Sequence, residues 1–491
     1  MLQQFLERHY RWVLFALIPI LGLALHWNIW TKPLLGVHVW RQAQTQINIE
    51  NFAFEDFNLF HPRIDDRGTN SGIHRMEFPL MQWLFAGVYK LFGNHLIISR
   101  LLSWLIGLFS VWGMFMLFQA VFKHRATAVA GAWAFHFSPL MFYYSLNPLP
   151  DNFALCCSIW GMAFFLRRIR EDKFRLTVPA AILLGLGALC KLPFVVFFAP
   201  IGFYLLFQSK SASKFKEMVV YSVGFAPVAA WYVTVVPTWH GNGIVQGILE
   251  NSKSWSELAG IVWGHIISNL PELFINYASV AFFVAGFYYF FKKWKNKQPF
   301  AGVFLVWSAA VLFYFFFELN QIGSEHDYYL FPFLPLIFLL VAGGMYELWD
   351  HKSIFWRYFF PVAMLVMPLT AYLRVQSRWS DKNPGFNKDL LDHREALQSA
   401  VPNTALCVVG NDVSHHIWFY HLDKKGWAFD GGRIDERWLS ERINWGAQYL
   451  YTDARHLETR EELRPMLDSL LGEYGSIRVW KLGLQPSKTI R

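Results

Sequence analysis

Long apolar runs separated by short polar turns occupy the first three-quarters of the chain. A helix needs about 20 mostly apolar residues to cross the hydrocarbon layer, because every backbone amide must find its partner inside the segment there. On this pattern spans are expected near 12–30, 98–122, 126–145, 152–168, 176–190, 193–208, 217–236, 273–291, 299–317, 328–346 and 355–374. The first is long, ends in HWNIW and lacks a small-residue cleavage pattern, so it reads as a retained helix. EFPLMQWLFAGVYKLFG, from Glu77, is too short and interrupted for a span, and its apolar spacing suits a helix lying at the interface.

Beyond residue 375 the pattern becomes that of an ordinary soluble domain, punctuated by Pro402, Gly410, Gly431, Gly432 and Gly446. ALCVVG at 405 reads as a buried strand and ERWLSERINWGAQYLYTD from 436 as helix then strand. REELRPMLDSLLGEY from 460 reads as an amphipathic helix, and IRVWKLG from 477 as a last strand. The expected architecture is a polytopic α-helical membrane protein of about 11 transmembrane helices with a C-terminal extracytoplasmic α/β domain. Its divisions are 1–374, including an outer loop 31–97, and 375–491, with a second outer segment at 237–272.

Composition agrees: of 491 residues, 54% are hydrophobic, 19% aromatic and only 16% charged, which a soluble protein of this size could not hide. Lysine and arginine orient the spans. With the N-terminus cytoplasmic, the inner turns carry Lys123 and Arg125, RRIREDKFR, SKSASKFK and FKKWKNK, whereas the turns at 145–151 and 318–327 carry none. The net charge of +9 follows from this bias and from contact with anionic lipid, and it does not read as a nucleic-acid signal. Cys156, Cys157 and Cys190 lie in spans and Cys407 in the tail, without disulfide or zinc-finger spacing. No N-x-S/T sequon occurs, which favours a bacterial cytoplasmic membrane.

No internal repeat of the kind many transporters show is found, and no relay of acids runs through the spans. Ionisable residues gather instead at the outer helix ends: His38, Arg41, Glu77, Arg100, Asp151, Lys191, Glu325, His326 and Asp327. Such groups near a membrane are costly unless paired, so their clustering on one side points to a site. Each also has a plainer reading. Lys191 and Arg100 suit interface anchors as well as phosphate ligands. Tyr328 and Tyr329, in HDYYLFPFLP, suit an aromatic belt. Pro150 and Asp151 suit a helix start.

In order, WRQAQTQINIENF, HPRID, EFPLMQWLFAGVYKLFG, SRLLS, SPLMFYYSLNPLPDNFAL, the Lys191 turn and HDYYLFPFLPLIFLLVAGG resemble the GT-C glycosyltransferases over roughly residues 10–375. The likeness is to the bacterial branch related to protein O-mannosyltransferases and aminoarabinose transferase. It implies transfer of a sugar from a polyprenyl phosphate in the membrane to a hydroxyl of a glycan, lipid or protein at the outer face. It implies roles as well: Arg41, Lys191 and Arg100 for the donor phosphate, His38 as a catalytic group toward sugar or acceptor, and Gln44, Asp65, Tyr328 and Tyr329 in the substrate pocket. Arginine suits phosphate because its planar fork matches two oxygens. Relatives commonly read WRQADT, so Gln44 stands where an acid is expected, and an amide is no base near neutral pH. The proton then falls to Asp151 ahead of Glu77, since Glu77 and His326 match a metal-binding pair in aminoarabinose transferase. A divalent metal is the one cofactor so implied. Two other classes compete: a transporter or flippase for a lipid-linked saccharide, and an inactive scaffold in glycan assembly, which Gln44 suggests.

Overall fold

The computed structural model describes residues 2–210, 212–239, 247–250, 253–295, 299–323, 326–349, 351–431 and 434–483. Glu325 and Gly432 lie outside these residues. The helices run α1 Leu2–Leu25, α2 Val39–Phe54, α3 Leu80–Phe92, α4 Leu96–Phe122, α5 Arg125–His136, α6 Pro139–Tyr144, α7 Pro150–Glu171 and α8 Thr177–Cys190. They continue with α9 Leu192–Gln208, α10 Lys214–Val235, α11 Trp255–Ile275, α12 Val280–Lys295, α13 Pro299–Phe317, α14 Leu334–Trp349 and α15 Ile354–Val375. The soluble part adds β1 Leu406–Gly410, α16 Ile417–Leu422, β2 Lys425–Ala428, α17 Glu436–Asn444, β3 Tyr449–Thr452, β4 Leu467–Tyr474 and β5 Ile477–Leu482. Contacts divide the chain into a helical unit, residues 1–31, 76–81 and 97–377, and a mixed unit, residues 32–75, 82–96 and 378–491.

Among the described residues, seven helices are long and apolar enough to cross a membrane, and the protein is a multi-pass membrane protein. Several expected spans are assembled from shorter pieces. The run at 126–145 is interrupted where Ser138, extended, caps α6 ahead of Pro139, because proline cannot continue the hydrogen-bond ladder of α5. The run at 328–346 opens with a 3-10 turn, Asp327–Phe333, before α14. The second outer segment, expected over 237–272, contains instead the apolar helix α11.

Helix α11 does not start an independent passage. It meets α12 at Asn276, whose φ is 73° and whose side-chain amide donates to Phe137 O and Met367 O, both at 3.0 Å. His265 of α11 bonds Gly323 O before α14 begins, Gly286 of α12 lies against Leu340, and Lys292 pairs with Glu347 near the end of α14. The contacts of the two helices with α14 thus run in series on either side of a kink at Asn276, whose backbone carbonyl accepts from Ser279 Oγ at 3.1 Å.

Helices α7 and α8 pack closely through small residues: a Cβ on Gly187 would collide with Ser158 Oγ and crowd Ala154 O. At the far end of α7, Arg168 donates to both carboxylate oxygens of Glu217 on α10, at 3.0 and 2.5 Å, with both side chains buried. Close packing along α7 and α8 and a buried ion pair between α7 and α10 thus fix these helices against each other.

In the mixed unit, β2-β1-β3 is parallel, and β5 then β4 continue the sheet antiparallel. Side chains alternate across it: Cys407 and Val409 face one core with Trp418, Phe419 and Tyr451, whereas Val408 faces another with Trp427, Leu439 and Leu450. Val39, Ala43 and Ile47 of α2, spaced four apart, belong to the first core. The helix formed by WRQAQTQINIENF is thus built into the core of the mixed unit, and much of the segment 31–97 folds with residues 378–491. The segment 63–73 closes on itself through an Arg63–Ile73 bridge and covers the free edge of β2, with Asp66 bridged to Gly426 and Gly68 N donating to Gly426 O at 2.7 Å. Gly68 has φ +53°, and a Cβ there would overlap the Trp427 ring.

The helix expected from 460 is corrected by the structure. Residues 467–474 form β4, turned back by Gly475 at φ +62° and paired with β5 from Leu467–Leu482 to Tyr474–Ile477. Leu463, Met466, Leu467, Leu470 and Leu471 carry a helical spacing, but only pairing with β5 gives this stretch backbone partners, and Pro465 would interrupt a helix.

Candidate active site

Pro150 sits at the first position of α7, preceded by the extended Leu149, and this places Asp151 in the first turn. The turn before it is braced from two sides. Asn152 Nδ2 donates to Tyr144 O at 2.7 Å and Asn147 O at 2.9 Å, and the buried Arg100 donates to Leu146 O and Asn147 Oδ1, both at 3.4 Å. Arg100 thus positions the turn that presents Asp151.

Asp151 is 2% exposed. Its Oδ1 lies 3.4 Å from Lys191 Nζ, and its Oδ2 has no hydrogen-bond partner among the described residues. Lys191 ends α8 in an extended conformation, φ −158°, which turns its side chain out of the helix direction. Its ammonium lies 5.7 and 5.4 Å from the ring centroids of Tyr328 and Tyr329. Tyr328 packs edge-on against Tyr144, whose hydroxyl donates to Asp327 Oδ1 at 2.5 Å. His326 stacks edge-on against both tyrosines, with centroids 6.0 and 5.6 Å away. Glu77 is carried by a segment laced to the same helices: Phe78 N donates to Leu189 O, and Trp231 Nε1 to Met76 O. The charges of Glu77 and Asp151 both bear on the Tyr232 hydroxyl.

The structure therefore brings together Asp151, Lys191, Tyr328 and Tyr329, with His326 against the tyrosines and Glu77 close by. Among the described residues no three His, Cys, Asp or Glu side chains converge as a metal site. Sequence reading missed Tyr144 and the buried Glu318, the single acid directly after the apolar α13. A lone acid at the end of an apolar helix was the available signal.

The remaining candidates belong to the mixed unit. His38 caps α2 with a left-handed φ of 55°. Arg41 is buried and donates from Nη1 to Gln44 Oε1, so the amide that replaces an acid acts as acceptor for the guanidinium. Asp65 accepts from Asn51 Nδ2 at 3.0 Å, and its backbone carbonyl accepts from Gly426 N, a bracing role; burial pushes its carboxyl up to about 6. A residue missed in this unit is His416, buried at the start of α16, with Nδ1 unpartnered among the described residues. Desolvation first, and then the charge of Arg41, hold its imidazole neutral, down to about 3.

The fold is that of the GT-C glycosyltransferases. Residues 76–238 match the family described as dolichyl-phosphate-mannose-protein mannosyltransferase. The chain is similar to ArnT from Cupriavidus metallidurans bound to undecaprenyl phosphate, at 14% identity and TM-score 0.64, covering 97% of this chain and 99% of that one. It is also similar to the Archaeoglobus fulgidus oligosaccharyltransferase tethered to an acceptor peptide, at 13% identity and TM-score 0.55, covering 93% of this chain and 70% of that one. A third likeness, to the mycobacterial arabinofuranosyltransferase AftD, has 13% identity and TM-score 0.59, covering 97% of this chain and 40% of that one. No curated protein matches by sequence.

Proposed function

We propose that the protein transfers a sugar from a polyprenyl phosphate to an acceptor hydroxyl at the outer face of a bacterial cytoplasmic membrane. The observation that carries this reading is the buried Asp151–Lys191 pair with a carboxylate oxygen left open. Lys191 offers an ammonium for the phosphate, and Asp151 Oδ2 offers a lone pair for the acceptor proton. The acceptor oxygen bonds to the sugar's anomeric carbon as the bond from that carbon to the phosphate oxygen breaks. The electron pair leaves on the phosphate, where Lys191 opposes the developing charge. Tyr328 and Tyr329 wall the ammonium and shield it from water, which strengthens its field.

The donor's chain has a place to lie. An apolar groove of about 340 Å³ is lined by Ile266, Phe274, Phe287, Leu312, Phe316 and Leu330, among others. Several of these are exposed on the helical unit, and Leu330 follows Tyr329 directly in the chain. A groove of this composition suits a prenyl tail. Arg41 and His38 are proposed from the family resemblance as further donor and sugar contacts, and the N-terminus as cytoplasmic.

The test is transfer by the purified protein from a panel of polyprenyl-phosphate sugars to cell-envelope acceptors. Asp151→Asn should abolish transfer while keeping donor binding. Full transfer by Asp151→Asn would refute the assignment.

A further inference from the structure

At the far end of α14 from Tyr328 and Tyr329, another cavity opens in the helical unit. It holds about 270 Å³ between the start of α1, the end of α14 and the first turns of α15. The 16 residues of α14 rise about 24 Å, so this cavity is separate from the Asp151–Lys191 site. It lies beside the N-terminus, on the membrane face proposed above as cytoplasmic.

The lining divides by chemistry. Lys352 and Arg357 supply two cations, and among the described residues neither makes an ion pair or a side-chain hydrogen bond. No acid lines the cavity among the described residues, outside which Asp350 lies. His351 Nδ1 accepts from Ser353 N at 3.2 Å, so the neutral imidazole carries its proton on Nε2 and adds a donor. Ser353 also lines the cavity and caps α15, its Oγ accepting from Phe355 N at 3.3 Å, so the positive end of a 22-residue helix adds to the two cations.

The remaining surface is apolar. Trp349 and Trp356 wall the cavity, with Leu2 and Phe360 between them and Trp349 edge-on to Phe360 at 4.1 Å between centroids. Tryptophan is the residue of the membrane–water boundary, where one end of a ligand is wet and the other is not. Directly after Arg357, α15 exposes Tyr358, Val362, Leu365 and Leu369, three or four residues apart in one stripe and each more than half exposed.

We propose that this cavity binds the head group of an anionic phospholipid, with Lys352 and Arg357 on the phosphodiester and the acyl chains along the stripe of α15. The guanidinium fork matches two phosphate oxygens, and the ammonium adds a point charge. A free phosphate shares the anion but makes no use of the apolar stripe. A zwitterionic lipid brings its own cation, which the two cations of the cavity repel, so the site selects by net charge. A lipid seated there ties the start of α1 to the turn between α14 and α15. The proposal does not depend on the transfer reaction.

The test uses the purified full-length protein, stripped of lipid in neutral detergent and titrated with dioleoyl phosphatidylglycerol or dioleoyl phosphatidylcholine under native mass spectrometry. Phosphatidylglycerol should bind more tightly. A cation near an anionic lipid is worth a factor of about 5, so Lys352→Gln and Arg357→Gln should each weaken phosphatidylglycerol about 5-fold, and together about 30-fold, with phosphatidylcholine unchanged. Lys216→Gln, at an exposed position on α10 outside the cavity, should change neither. Unfolding without added lipid should be the same in wild type and the double variant, because both side chains are exposed, and phosphatidylglycerol should raise the Tm of wild type only. Equal affinity for phosphatidylglycerol in wild type and either single variant overturns the site. Equal weakening by Lys216→Gln also overturns it, since the attraction then belongs to the charged surface at large. Inorganic phosphate that binds as tightly as phosphatidylglycerol overturns the lipid and leaves a site for a free anion.

Discussion

Replacing Lys191 by methionine keeps the length of the side chain and removes only its charge. The Asp151 carboxylate, 2% exposed, then loses the cation 3.4 Å from Oδ1 while Oδ2 is already unpartnered among the described residues. Breaking a buried ion pair from one side costs about 3–5 kcal/mol, because a desolvated charge is left behind. Two effects limit the loss: the N-terminus of α7 supports a negative charge by up to about 2 kcal/mol, and the carboxyl can take up a proton. A net destabilisation of about 2–3 kcal/mol is expected on these terms. Asp151→Asn in the Lys191→Met background removes the stranded charge and should recover most of it, giving a coupling of at least about 1.5 kcal/mol in the double-mutant cycle. Denaturant unfolding in detergent, followed by tryptophan fluorescence, reads the stability, and donor titration reads the phosphate contact. If Lys191→Met unfolds within about 0.5 kcal/mol of wild type and the cycle shows no coupling, the pair is an exposed anchor and the reasoning fails.

Other consequences can be measured separately. Arg41→Ala should remove most transfer activity with folding intact, and Arg41→Lys should restore only part because the planar fork is lost; unchanged turnover in Arg41→Ala would reduce Arg41 to a partner of Gln44. Gly68→Ala should destabilise the mixed unit by at least about 1 kcal/mol, from a left-handed φ and overlap with Trp427, and hydrogen exchange at residues 425–428 should rise; unchanged exchange contradicts the packing. The hydrogen bond from His415 Nδ1 to Asp66, 2.7 Å long, raises the His415 imidazole above its usual value. The stability that protonated His415 adds is therefore complete below the unfolded value of about 6.5 and is lost as pH rises through the higher folded value. Wild type should exceed His415→Gln in stability most at mildly acidic pH, and a difference that grows toward alkaline pH would reverse the sign.

The sequence by itself determined the features that depend on local pattern. Apolar runs of membrane length, Pro150 at the head of α7, the strands ALCVVG and IRVWKLG and the helix–strand order from 436 need only neighbours to be read, because period and capping residues lie within a few positions of one another. The resemblance to GT-C enzymes lay in the order of such motifs. Tertiary structure decided what depends on remote partners. The leucines from 463 to 471 fit a helix until β5 supplies backbone partners, and α11 reads as an outer segment until α14 gives it a surface to follow. WRQAQTQINIENF yields no address from its own residues, since only the strand face of β1 explains why Val39, Ala43 and Ile47 are buried. The site is of the same kind: Asp151 and Lys191 are separated by a long stretch of chain and meet only because α7 and α8 pack against each other. Desolvation and Coulomb energy depend on distance through space, and only the folded chain fixes that distance.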